Sequence, residues 1–322
     1  MSETTANSAI RPPEPDFATI TTEELLAYRD AENRFWASSA AWAILGEPDP
    51  GATIDWQQIA LPGRDLPVRV YRPSRTGDSE AAARSGLPLV VHVHGGGFVG
   101  TAVQCDWTNS HLAARLPALV VSVEHRLLAP GNPLTNAADD GWDVLDHVVR
   151  HAAQWGTDPA RTAVFGKSCG ALISALTAIR ARETGQGLRA QVLVNPMVDV
   201  TETMFDYASM AEYAYTPTRA LLLLRFFQQL AVPPGTDADA VSPLYADDLS
   251  GLPPALVVVP TQDAVADHGR RYAERLRAAG TSVRLSEYPG AKHAFLTLPG
   301  MEPQAQAAQA EILEFLRTAL VE

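Results

Sequence analysis

The sequence predicts an α/β fold: a mainly parallel central sheet flanked by helices on both faces, with a helical cap. Three observations predict it. Short apolar runs recur at Leu89–Val93, Leu119–Val123, Ala163–Phe165, Val192–Val194, Leu256–Val259 and Val283–Leu285, the pattern of strands buried on both faces. Helical stretches lie between them, at about 104–116, 136–153, 169–183 and 267–279, and this alternation builds a doubly wound sheet. Residues 201–235 break the alternation. They carry Met204, Phe205, Tyr207, Met210, Tyr213 and Tyr215, then Leu221–Leu224, Phe226 and Phe227. This stretch is too long and too apolar for a plain loop; it reads as a helical insertion over the sheet's C-terminal edge.

The remaining elements follow in chain order. Residues 1–20, with Pro12, Pro13 and Pro15, read as a flexible tail. Residues 21–50 read as N-terminal cap helices. Leu25, Leu26, Tyr28, Phe35, Trp36, Trp42 and Leu45 form their apolar stripe, which either packs on the core or lies over a pocket. Ile54, Trp56 and Ile59, then Val68, Val70 and Tyr71, predict two strands around a Pro62-Gly63 turn. Residues 74–86 are a surface loop by composition. A last helix over 303–320 carries Ile312, Leu313, Phe315, Leu316 and Leu320 on one stripe. Residues 51–322 thus form one catalytic-size domain carrying the insertion.

Composition narrows the function classes. Of 322 residues 46% are apolar, enough for a large core, and the formal net charge is −12. An acidic chain repels phosphate backbones, which argues against nucleic acid as a partner. Two cysteines, Cys105 and Cys169, cannot build a disulfide framework. No apolar run approaches the roughly 18–20 residues of a membrane span. The start Met1–Asn7 has neither basic residues nor an apolar stretch, so no signal peptide is expected and a cytoplasmic location is the default.

The chemistry-bearing residues come in strand-end motifs. Gly166-Lys-Ser168-Cys-Gly170 follows a predicted strand and precedes a predicted helix. A nucleophile there needs a sharp turn, and the flanking glycines spare the packed strand and helix a clash. His94-Gly-Gly-Gly97 ends the strand Leu89–Val93. Such glycines let amides approach a ligand oxygen, so the amides of Gly96, Gly97 and Cys169 are candidate oxyanion donors. No Gly-Lys-Ser/Thr follows this loop, which excludes a phosphate loop. A nucleophilic serine needs a base, and the base needs a carboxylate, in the chain order Ser, Asp/Glu, His. Downstream of Ser168 stand only His268 and His293. His293 lies in a loop after a strand and is the better base; His268, at a helix start, is expected to face solvent or cap. Asp263 lies nearest its strand end and is the candidate acid, with Asp267 expected to cap the next helix. His92 and His94 share a strand face, yet no carboxylate cluster joins them, so neither metal nor cofactor is expected.

With these motifs in order, the chain resembles the hormone-sensitive-lipase-like family of α/β-hydrolases, a group of carboxylesterases, over roughly residues 53–318. The resemblance extends to His125-Arg-Leu-Leu-Ala-Pro130, Ser242-Pro-Leu, Gly251–Leu256, Tyr272–Gly280 and Tyr288–His293. It implies an α/β-hydrolase fold with nucleophile, acid and base at Ser168, Asp263 and His293. It also implies a two-part cap where 21–45 and 201–235 stand, small ester substrates of short-to-medium acyl length, and dimers through a sheet edge. Phe98, Trp36, Tyr207, Tyr213 and Phe295 are the candidate pocket residues. Departures from the family pattern are Lys167, where acidic or small residues are usual, Cys169 for Ala, His125 for Tyr, an extra Leu128, and Gly131 for Glu. Lys167 reads as solvated or salt-bridged and Cys169 as a small buried filler. These departures and the aromatic insertion keep a second reading open, a deacylase or cyclase for one specialised metabolite with the same triad. A third is a non-catalytic ligand receptor on the same fold.

Overall fold

The computed structural model describes residues 10–74, 86–215 and 219–321; most of the loop expected at 74–86 lies outside them. Eight strands form one sheet in the order β1-β2-β4-β3-β5-β6-β7-β8. β1 (Ala52–Leu61) and β2 (Arg64–Pro73) make an antiparallel pair around Pro62-Gly63, and β2 runs antiparallel to β4 (Leu119–Val123). β3 (Leu87–Val93), β5 (Thr157–Lys167), β6 (Ala190–Val194), β7 (Ala255–Gln262) and β8 (Val283–Lys292) continue it in parallel with β4.

Alternation along these strands feeds two cores. Val91, Val93, Val164, Leu193 and Val257 face one side. There they meet α4 (Leu134–Arg150), α6 (Cys169–Glu183) and α9 (Ala266–Ala278). Val90, Val120, Phe165, Val192 and Val258 face the other side, against α3 (Asp106–Arg115) and α10 (Gln304–Leu320). A four-residue helix α5 (Ala152–Trp155) follows α4. Strands covered on both faces have no room for polar residues, which is why their sequences read as unbroken apolar runs.

The N-terminal region holds two helices, α1 (Thr22–Trp36) and α2 (Trp42–Leu45), with a 3-10 turn between them. Thr21 caps α1 in a reciprocal box with Glu24, which satisfies two otherwise orphaned amides. The expected free tail is corrected over 10–20. Phe17 is 4% exposed, and its ring meets Tyr28, Phe226 and Phe227. Burying one aromatic outweighs the polarity of the residues around it. The insertion is helical, with a 3-10 turn (Glu202–Asp206), α7 (Ala208–Tyr213) and α8 (Ala220–Ala231). No helix among the described residues is long and apolar enough to cross a membrane.

Candidate active site

Ser168 stands between the last residue of β5 and the first of α6, with φ 54° and ψ −123°. This is strained backbone for a side chain bearing Cβ. The neighbouring glycines permit it. A Cβ on Gly170 would sit 2.2 Å from the Val93 carbonyl oxygen, and one on Gly166 would sit 2.2 Å from that of Gly170. Neither fits, so the turn packs only with glycine on both flanks.

Three residues far apart in sequence converge here. Ser168 Oγ lies 2.9 Å from His293 Nε2. His293 Nδ1 lies 2.8 Å from Asp263 Oδ2. β7 and β8 are neighbours in the sheet, so the loops after them bring Asp263 and His293 together. Asp263 is 2% exposed, and its other oxygen accepts the Val265 amide at 3.0 Å. The bonds fix the tautomer: Nδ1–H donates to Asp263, leaving Nε2 as acceptor toward Ser168. Burial works to lower the His293 pKa, but the Asp263 charge and hydrogen bond outweigh it, and the pKa is raised above the ordinary 6.5. Asn195 Nδ2 lies 3.4 Å from the same Nε2; the sequence alone gave no reason to single Asn195 out.

The glycine loop after β3 faces Ser168. Gly96 has φ 97°, Gly97 φ 58° and Phe98 φ 58°. Their left-handed backbone turns the chain back on itself, and the amides of Gly96 and Gly97 bond no backbone carbonyl among the described residues. Cys169 is the first residue of α6, so its N–H has no partner within the helix. All three line one cavity of about 450 Å³ together with Ser168, Asp263 and His293. Trp36, Phe98 and Tyr213 also line it, as do Leu223 and Phe227 of α8.

Two expected pocket residues are elsewhere. Tyr207 is 3% exposed and donates its hydroxyl to Asp199 Oδ2 at 2.5 Å. The buried carboxylate draws the phenol away from the cavity. Phe295 follows Ala294 at φ 62° and is driven by that reversal into the core against α10, beside the Tyr288 ring. Three further expectations are corrected. His268 is buried, not solvent-facing; its Nδ1 accepts the Val198 amide at 3.3 Å and its ring meets Tyr207. Asp267 does not cap its own helix but accepts the Ser209 amide at 2.9 Å. Lys167 is 2% exposed, with no hydrogen-bond partner for Nζ. It follows Phe165 by two residues on the same strand face, beside the Cys105 thiol, and forms no ion pair with a carboxylate among the described residues. Cys169 is buried as expected, and burial pushes its thiol up to about 11. Among the described residues no group of three or more His, Cys, Asp or Glu could hold a metal ion.

A family described as alpha/beta hydrolase fold matches residues 90–297. The chain belongs to the α/β-hydrolase fold family. Within it, the carboxylesterase NlhH of Mycobacterium tuberculosis is 37% identical over 282 residues, 84% of each chain. The ethyl acetate hydrolase of Pseudomonas putida is 32% identical, over 90% of each. Among solved structures, a hyperthermophilic esterase of the archaeon Pyrobaculum calidifontis superposes with TM-score 0.80 at 31% identity, covering 92% of this chain and 94% of its own. An ester-hydrolase from the metagenome of Lake Arreo, complexed with a bipyridine phosphonate derivative, gives TM-score 0.81 at 31% identity, covering 95% and 92%.

Proposed function

We propose that this chain is a serine carboxylesterase acting on small esters of short-to-medium acyl length. The observation that supports this reading is the hydrogen-bonded chain Ser168–His293–Asp263, with links of 2.9 and 2.8 Å, beside glycine-loop amides that bond no backbone carbonyl among the described residues. In this mechanism Ser168 Oγ attacks the ester carbonyl and His293 Nε2 takes its proton. Asp263 holds the tautomer and stabilises the imidazolium. The developing oxyanion accepts from the amides of Gly96, Gly97 and Cys169, each worth on the order of 3 kcal/mol. His293 then protonates the departing alcohol, and water hydrolyses the acyl-enzyme with the same base. None of these steps requires a cofactor. The names of the relatives, which include two carboxylic ester hydrolases and an arylesterase, agree with an ester substrate. A cavity of about 450 Å³ walled by Leu223, Phe227 and Trp36 suits an apolar small molecule.

The test is hydrolysis of p-nitrophenyl esters from acetate to dodecanoate by the native enzyme and by Ser168→Ala. The expected result is turnover peaking at short chains and falling at least roughly a thousandfold in the variant. Equal rates for the two proteins would refute a serine esterase.

A further inference from the structure

A polar corner of the cavity lies apart from the groups the ester chemistry uses. It lies under α1, where Glu32 lines the wall although it is 3% exposed. Two groups donate to its Oε1: the Arg11 Nε–H at 3.0 Å and the Tyr28 hydroxyl at 3.0 Å. Its Oε2 accepts from no described residue. Oε2 is not sealed from solvent, and the side chain that carries it lines the cavity. Arg11 covers the corner from the chain's N-terminal side, its guanidinium 5.0 Å from the centre of the Trp36 ring. Tyr28 stays a donor, because burial and the Glu32 charge push its pKa well up.

A buried carboxylate oxygen facing an apolar cavity lacks a donor whenever a plain hydrocarbon fills that cavity, and an unpaired acceptor is costly. Arg11 neutralises Glu32 itself, and the further carboxylate near Tyr28, Glu14, is exposed to water, so a cation gains little at this corner. What it lacks is a neutral hydrogen-bond donor. Resting on the esterase reading above, the geometry points to Glu32 Oε2 as a specificity site for a hydroxyl group on the substrate, with Trp36 and Tyr28 flanking the carbon that bears it. The preferred esters are then hydroxylated ones, an apolar chain ending in an OH rather than a simple alkyl ester. Sites built to bond a hydroxyl reject analogues lacking it more strongly than apolar pockets reject a missing methylene.

Two matched pairs test this. For the acyl part the pair is p-nitrophenyl hexanoate and p-nitrophenyl 6-hydroxyhexanoate; for the alcohol part it is butyl acetate and 4-hydroxybutyl acetate, followed by proton release. The native enzyme is expected to favour the hydroxylated member of one pair by roughly tenfold or more in kcat/KM, the range of a hydrogen bond to a charged group. The pair that responds identifies which part of the ester lies under α1. Glu32→Leu should bring that ratio to about one, whatever happens to the absolute rates. A purely structural role would change both members alike and leave the ratio standing. Glu32→Gln keeps the shape and a weaker acceptor, so it should retain part of the preference; it decides the matter if the leucine variant does not fold. Equal native rates within both pairs, or a ratio that survives in both variants, would overturn the proposal. Failure to turn over even the plain esters would instead overturn the esterase reading.

Discussion

Lys167 precedes Ser168 on the chain and points the opposite way, beneath the glycine loop. In register it lies beside His94 of the neighbouring strand, since Val93 pairs with Gly166. Its neighbours offer no countercharge: the Cys105 thiol beside it is kept neutral by burial, and His92 and His94 are both held neutral, chiefly by burial and in part by the lysine itself. A buried ammonium without a countercharge is among the few features that cost a protein several kcal/mol. Methionine has nearly the same length and no charge. Lys167→Met is therefore expected to raise stability by about 1–3 kcal/mol, read as a higher denaturant midpoint with an unchanged slope. A lower midpoint would show that Lys167 finds a partner in solution. Gly170 is the opposite case, a residue whose side chain is excluded by backbone 2.2 Å away, and there the sequence motif and the packing agree.

At the level of elements, the insertion is tied to the loop that carries the acid. The Ser209 amide at the start of α7 donates to Asp267 Oδ2 at 2.9 Å, the Asp267 amide donates to Ser209 Oγ at 3.1 Å, and that hydroxyl donates to the Ala264 carbonyl at 3.0 Å. Asp263 begins the same short loop. Ser209→Ala removes two of the three bonds, so it should cost about 1–3 kcal/mol. It should also lower kcat on a p-nitrophenyl ester roughly tenfold, because small misplacements of catalytic groups are costly. A stability loss with kcat intact would mean that the clamp holds the insertion alone. The strands and the Gly-Lys-Ser-Cys-Gly turn are legible in the sequence because each depends on neighbours along the chain: period, run length, glycine spacing. The triad is legible because its members stand at strand ends in a set order. The cavity wall is not. Whether Tyr207 or Phe227 faces the substrate depends on where Asp199 draws a phenol, and whether Arg11 is tail or wall depends on Phe17 finding a slot 200 residues away between Phe226 and Phe227. Nothing local encodes either.

For the whole molecule, the same burial that builds the site makes the fold sensitive to acid. His92, His94, His125 and His268 are each at most 2% exposed. His94 and His125 stack with ring centres 4.3 Å apart. Burial lowers the pKa of His94, His125 and His268 to about 4, against the pull of nearby carboxylates at His268, and that of His92 well below the ordinary 6.5. In the unfolded chain each titrates near 6.5, so between about pH 6.5 and 4 the unfolded state binds more protons than the folded one. Stability is thus fully present above the unfolded value and is lost as pH falls toward 4. Each histidine contributes a slope of about 1.4 kcal/mol per pH unit within that window. Paired carboxylates such as Asp49 and Asp267, whose pKa values lie below 3.8 in the fold, add to the loss only at lower pH. Denaturant unfolding at pH 8, 7 and 5 should show stability nearly flat over the first step and falling steeply over the second. His125→Tyr, which removes one of the four titrations and restores the residue usual in the resembled family, should flatten the acid slope by about 1.4 kcal/mol per unit. Parallel slopes in the native protein and the variant would mean that His125 is already protonated in the fold, and that its stack on His94 is held by a countercharge rather than by burial.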